Sequence, residues 1–315
     1  MPDTTDTVTV PGPLAGPGTG RSPSPPRRGL PGPPRVAARY LGVAPFTVYV
    51  ALGLIVPLVV VVIGAFQDSS TGAFTMRNID LAVHGVYLTG FRESLIVSVL
   101  SAIIPGVFGL LVAYAIFTAK HGTWLRRIVI TASGVFANFG GVPLAFLFIT
   151  TLGSTGLETQ WLKDLGFDIY GDGFSLYSIT GIVVVYLYFQ IPLMVLVILP
   201  ALEGLRSAWR EAAENLGAGT WQYWRYVGGP VLMPSFLGSV LLLFGFGLSA
   251  YATADALTSG TIPITSLQIG QFLAGNVIAG QENVGKALGL GIVVIIVVAM
   301  VFYVLLQRRA AKWLR

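Results

Sequence analysis

REAAENLGAGTWQYWRYVGGP, residues 210–230, breaks into a chain that is otherwise largely apolar. It carries two arginines, two glutamates, a Gly-x-Gly and a dense aromatic cluster, and it lies between two long apolar runs. Leu205, Trp209, Ala212 and Leu216 recur at helical spacing, with Arg206, Arg210 and Glu214 marking the other face. That periodicity predicts a short amphipathic helix over 203–217. Gly217 is a natural stop, because glycine tolerates the left-handed backbone that ends a helix. A second short turn, TWQYWRYV, follows, and Pro230 is expected to close the unit before the next apolar run. Ala212 and Ala213 let another surface come close, and Glu211 offers an acceptor to a basic partner. The segment holds no nucleophile–base pair, no metal-ligand spacing and no phosphate cradle. It suits being gripped rather than catalysing.

The rest of the chain explains what surrounds it. Of 315 residues, 54% are hydrophobic and 10% charged, with a mean hydropathy of +0.76, whereas about a quarter of a soluble domain is charged. The chain therefore reads as an all-α integral membrane protein. Six runs of about 20 apolar residues match a bilayer core of ~30 Å: 45–66, 94–117, 128–151, 177–202, 235–256 and 287–307. No run alternates with a period of two, which argues against a β-barrel. Pro105, Gly106 and Pro192 fall inside these runs, where neighbouring helices can cover freed backbone groups. The absence of cysteine excludes disulfides, iron–sulfur clusters and thiolate zinc sites. His84 and His121 fall in opposite loops and cannot share a metal.

Residues 1–40 differ in kind. Ten of the 19 prolines fall in the first 34 residues, and the 40-residue segment also holds Gly, Ser, Thr and five arginines. Such a segment buries too little apolar surface to offset its ordering entropy, so a disordered arm is expected, followed by a transmembrane domain over 41–315. Arg27, Arg28, Arg35 and Arg39 belong either to a solvated tail or to a lipid-binding or regulatory one. The basic residues also set orientation. Fifteen of the 19 Lys and Arg lie in the arm, the 118–127 loop, the segment after the fourth run, and the tail; Arg77, Arg92, Lys163 and Lys286 lie in the alternate loops. The positive-inside rule then places both termini, and the 210–230 segment, in the cytoplasm. The net charge of +5 is accounted for in this way, with membrane lipids and no nucleic acid as the expected contacts. Trp124, Trp161 and Trp313 fit interfacial anchors.

EAAENLG (211–217), then nine residues, then Val227, Gly228, Gly229 and Pro230 resembles the EAA loop of type I ABC-importer permeases. That pattern has Glu-Ala-Ala, a glycine four positions after the second alanine, and a hydrophobic-x-Leu-Pro ending. Glu211, Ala212, Ala213, Gly217, Val227 and Pro230 stand at the matching positions, while Gly229 replaces the usual Leu, a departure expected to make the end of the loop more flexible. FRESLIVSVLSAIIPGVFGLLVAYAI looks like the first core span of such permeases, and the likeness covers about 90–315. The resemblance implies a six-helix permease bundle in a bacterial cell membrane, with 203–234 as the coupling loop docked on a separate ATP-binding subunit. It further implies an ATPase dimer that binds ATP and magnesium, a second permease chain, identical or related, and an extracytoplasmic solute-binding protein. Neither cofactor nor catalytic residue is implied for this chain. The run YFQIPLMVLVILPALEGL resembles the polyamine branch, beside ferric iron, thiamine, sulfate and phosphonate relatives. Spermidine or putrescine is therefore the expected cargo.

GQENVGKA (280–287) imitates a P-loop, Gly-x-x-x-x-Gly-Lys-[Ser/Thr]. Ala287 has no hydroxyl for magnesium and no predicted strand precedes the segment, so ATP binding is not expected there. Polar groups in or near spans are costly in lipid and so are path candidates: Asn138, Gln190, Ser249, Tyr251, Thr253 and Asp255. For Asn138 and Gln190 the competing role is an interhelical hydrogen bond, and for Asp255 a place at the interface. An ion-coupled secondary transporter would need ionisable residues in mid-span, and none is present. A membrane enzyme would need a clustered catalytic set, which the sequence also lacks.

Overall fold

A computed structural model describes residues 43–119, 123–276 and 278–312. The expected arm over 1–40, His121 and Trp313 lie outside the described residues. The chain divides into two units, 1–54 and 55–315. In the first, the described residues begin a helix at Ala44, with Pro45 in its first turn and mostly exposed side chains.

The described residues are helical, without a strand. Among the described residues, six helical stretches are long and apolar enough to cross a membrane: Ala44–Ala65 (α1), Gly85–Thr118 (α2), Gly141–Asp164, which is interrupted at 153–156, Ile179–Glu203, Thr220–Ser249 and Val284–Arg309. This is the all-α, six-span class expected from hydropathy. Within the second unit, α2 is central. Its buried residues include Gly90, Ser94, Ser98, Ser101, Ala102, Gly106, Gly109 and Ala113, a stripe three to four residues apart. Its large apolar side chains, among them Ile103, Phe108 and Leu111, point outward. Lipid provides no hydrophobic drive between helices, so association depends on close backbone approach and packing, which small residues allow. A Cβ on Gly109 would lie 2.5 Å from Met194 Cβ and 2.9 Å from the Ile191 carbonyl; one on Gly106 would lie 3.0 Å from Val240. The stripe thus seats α2 against Ile179–Glu203 (the fourth span) and Gly229–Ser249 in the fifth. Met194, Ile198, Leu202, Leu232 and Leu243 fill the core where they meet.

Two expected spans are broken instead of continuous. The run 128–151 forms Thr123–Asn138 (α3) and Gly141–Leu152 (α4), separated at Phe139–Gly140. Gly141 takes φ +73°, which glycine alone adopts cheaply, and its N–H donates to Thr253 Oγ1 at 2.9 Å. The run 235–256 stops at Ser249 and resumes as Ala252–Thr258. There the Ala250 carbonyl accepts from Ser266 Oγ at 3.0 Å and Tyr186 Oη at 3.3 Å. Backbone freed at a break must find partners inside the protein, and these side chains provide them.

At one end of the second unit a small clasp holds the segment after α1. Asp68 Oδ1 accepts from Ser70 Oγ at 2.6 Å and from the Ser70 and Thr71 N–H groups at 3.0 Å. Asn78 and Asn283 each donate from Nδ2 to the Gln67 carbonyl at 2.8 Å, and Ser69 Oγ accepts from the Asn283 N–H at 3.1 Å.

Two predictions follow from this packing. Gly109→Ala should lower the thermal unfolding midpoint in detergent, the Met194 contact costing about 1–3 kcal/mol by overpacking; an unchanged midpoint contradicts the close approach. Those hydrogen bonds hold the Asp68 carboxyl well below the ordinary carboxylate value. A depressed carboxylate contributes fully above its unfolded value of about 4 and loses that contribution as the pH falls through the folded one. The protection factors of the Ser70 and Thr71 amides, their exchange measured against the intrinsic rate at each pH, should therefore hold through neutral pH, fall only in strong acid, and be lower in Asp68→Ala throughout the range where the carboxylate is charged.

Candidate functional site

The 210–230 segment folds as a helix over Ser207–Asn215 (α5) and a second helical stretch that begins at Thr220. The helix is shorter than the expected 203–217, because residue 206 is extended (φ −70°, ψ 130°). Its end is a Schellman closure. Gly217 adopts φ +78°, its N–H donates to the Glu214 carbonyl at 2.9 Å, and the Ala218 N–H donates to the Ala213 carbonyl at 2.9 Å. The face that the spacing groups together is not uniformly covered. Ala213 is buried, while Ala212 is exposed and Leu216, the C-cap, is 88% exposed. Glu211 is also exposed and has no ion-pair partner among the described residues, whereas Arg210 Nε pairs with Glu214 at 2.9 Å.

Both flanks of the loop are rooted in the core. Leu205 and Trp224 pack against the Met194–Leu243 cluster, and Trp224 meets Tyr114 of α2 edge-to-face at 5.3 Å. Arg126 pairs with Glu203 just before the loop. Pro230 does not close a separate unit. Thr220–Tyr223, the π turn Trp224–Gly228 and Gly229–Ser249 run on as one helix, with Pro230 in the first turn of its last part. Gly229 is therefore no flexible joint. Its N–H donates to the Trp224 carbonyl, closing the π turn, and a Cβ there would collide with that carbonyl oxygen. Val227 and Pro230 are both half-buried.

The path candidates do not form one cluster. Gln190 is wholly buried, 3.5 Å from Ser101 Oγ through Nε2. Ser249 and Tyr251 line an open cavity of about 520 Å³ together with Ser266, Gly270 and Leu273. Thr253 is buried and committed to the Gly141 N–H, a structural role. Asn138 is exposed, its Nδ2 bonded to the Gly134 carbonyl of its own helix at 2.8 Å. Asp255 lies half-buried in the first turn of the short Ala252–Thr258 helix, not in the fifth span. The hydropathy profile missed Ser101, which meets Gln190, and Gly247, which faces Ser98, Ser101 and Gln190; serines spaced i, i+4, i+7 along 94–101 were the available signal.

The P-loop imitation serves packing. Gly285 faces the Phe272 ring, Asn283 ties down the Gln67 loop, and the Lys286 side chain lies along Gly64. No strand leads into it, and no group of metal-ligating side chains occurs among the described residues.

Comparison with known proteins agrees with this arrangement. The chain is 26% identical over 223 residues to the probable sulfate transport system permease protein cysT of Nephroselmis olivacea, covering 70% of this chain and 72% of that one. It is 30% identical over 188 residues to the sulfate transport system permease protein CysT of Escherichia coli K12, covering 58% and 64%. Thiamine (ThiP, Haemophilus influenzae) and ferric (FbpB, Actinobacillus pleuropneumoniae) transport system permeases are 29% and 25% identical, over 55% and 80% of this chain but only 30% and 35% of their own lengths. In fold, it superposes with a TM-score of 0.68 on a bacterial ABC transporter that imports the polysaccharide alginate, at 19% identity, over 87% of this chain and 96% of that one. That transporter is also known in complex with a periplasmic protein bound to an alginate pentasaccharide. Residues 106–314 match the family described as the binding-protein-dependent transport system inner membrane component, and the chain belongs to that family of ABC-importer permeases.

Proposed function

We propose that this permease carries a small inorganic oxyanion of the sulfate type, and that Ser207–Asn215 is the helix through which a separate ATPase drives it. The observation that carries the coupling role is the combination at the loop. Glu211 is exposed and unpaired, the helix ends sharply at Gly217, and both flanks are anchored in the core through Leu205 and Trp224. A rigid, protruding, small-residue helix can be held by a partner and transmit its movement. Val227 and Pro230 then belong to the stem and not to the gripped surface.

The sulfate reading is supported by the relatives' names and by the neutral character of Gln190, Ser98 and Ser101. Polyamine cargo, expected from the resemblance of the fourth span, finds no counterpart among these relatives, and a polycation would favour carboxylates where these amide and hydroxyl groups stand. The distribution of Lys and Arg supports cytoplasmic termini and a cytoplasmic coupling helix. By the same reading, an ATPase pair binds ATP and magnesium, a second permease chain completes the channel, and a solute-binding protein delivers cargo from outside.

Uptake of radiolabelled sulfate by cells expressing the chain with its partner subunits tests cargo, and spermidine is the competing substrate to be measured beside it. In the same assay, Glu211→Lys should reduce uptake about tenfold or more, a coupling loss of ~1.4 kcal/mol or above. Membrane abundance should stay unchanged. Normal uptake by a fully expressed Glu211→Lys transporter would rule out the coupling assignment.

A further inference from the structure

Gln190 sits at 0% exposure in the middle of the fourth span, where α2, Ile179–Glu203 and Gly229–Ser249 come together. Its Nε2 reaches Ser101 Oγ only at 3.5 Å, and its Oε1 has no hydrogen-bond partner. Inverting the amide would merely exchange which atom is left over. The opposing wall is Gly247. A Cβ there would lie 2.6 Å from Ser101 Oγ, 3.1 Å from Ser98 Cα and 3.6 Å from Gln190 Nε2. The polar stripe continues along α2. Ser98 Oγ donates to the Ser94 carbonyl at 2.6 Å, and Ser94 Oγ accepts from the Thr265 N–H at 2.8 Å. The buried Thr265 Oγ1 is a further side-chain atom without a partner.

A core that only had to hold three helices together would pair these atoms or replace them with apolar ones, because an unpaired polar group in an apolar interior is costly. An amide that is buried in one state and wetted in another avoids that conflict. We infer that Gln190 and Ser101 form the solute-facing constriction of the translocation path, closed in this conformation by the seating of Gly247 against Ser98 and Ser101. When the fifth span moves off α2, the Gln190 amide and the Ser101 hydroxyl meet a hydrophilic solute or its hydration water. The neutral amide orders that water without trapping an ion of either sign. The inference rests on the proposed permease role of this chain and not on sulfate being its cargo.

The chain contains no cysteine, so Gln190→Cys and Ser101→Cys each introduce a unique thiol. The test is labelling by a membrane-impermeant, charged methanethiosulfonate, with the full transporter in membranes, without nucleotide and during turnover with ATP and binding protein. Both variants should label slowly at rest and about tenfold faster during turnover, as an open population rising from about a tenth to nearly all requires. Leu243→Cys, buried in the adjacent apolar core, should stay unlabelled throughout. Labelling of Gln190→Cys and Ser101→Cys at equal rates in both conditions, or at no measurable rate in either, overturns the constriction. So does labelling of Leu243→Cys as fast as theirs. Failure of sulfate uptake with nucleotide-switched labelling retained would count against the cargo alone.

Discussion

Three helices touch at backbone distance where Gly106, Gly109 and Gly247 remove the side chains between them, and most other features of this protein depend on that contact. In lipid, apolar side chains gain nothing by leaving their surroundings for one another, so packing density and hydrogen bonds must carry association. The glycine and serine stripe of α2 provides both. It brings the Met194 and Val240 side chains into van der Waals contact and leaves hydroxyl groups facing Gln190. Bulky residues would have separated the helices and dissolved the polar layer together with the packing.

The same solvent explains the interruptions. A helix break inside a bilayer exposes N–H and C=O groups that water cannot reach, and each break here has a designated side-chain partner: Thr253 for Gly141, and Ser266 with Tyr186 for Ala250. The two breaks are tied to one another through Thr253, which belongs to the segment after the second break and serves the first. Polar residues near spans thus differ in their partners. Thr253, Ser266 and Tyr186 hold the fold through the backbone of another segment, whereas Gln190 has no such partner for its Oε1.

Much of this was legible in the sequence, for physical reasons. Six spans stand out because 20 consecutive apolar residues have few alternatives, and Gly217 announced its helix end because left-handed backbone favours glycine. The breaks were less visible. Gly140–Gly141 looked like ordinary small-residue content of a span, since hydropathy averages over a window and ignores backbone conformation. Periodicity groups Leu216 with Leu205 and Trp209 on one face but does not say whether that face is covered, and Leu216 is exposed. The stiffness at Gly229 comes from a π turn that sets the Trp224 carbonyl against it, a backbone feature that composition does not signal.

That π turn has a mechanical meaning. It joins the end of the loop to the fifth span with no non-helical residue between them, so Thr220–Ser249 runs on as helix for 30 residues. Gly247 lies 27 residues from Thr220 along this helix, roughly 40 Å at 1.5 Å per residue. Pivoted at its loop end, such a lever turns a tilt of about 5° into a displacement of about 3.5 Å at Gly247, by the same helical rise. A displacement of that size is comparable with a whole van der Waals separation between packed atoms, about 3.5–4 Å. A push too small to disturb the loop's own hydrogen bonds would be amplified into a full parting of surfaces at the far end.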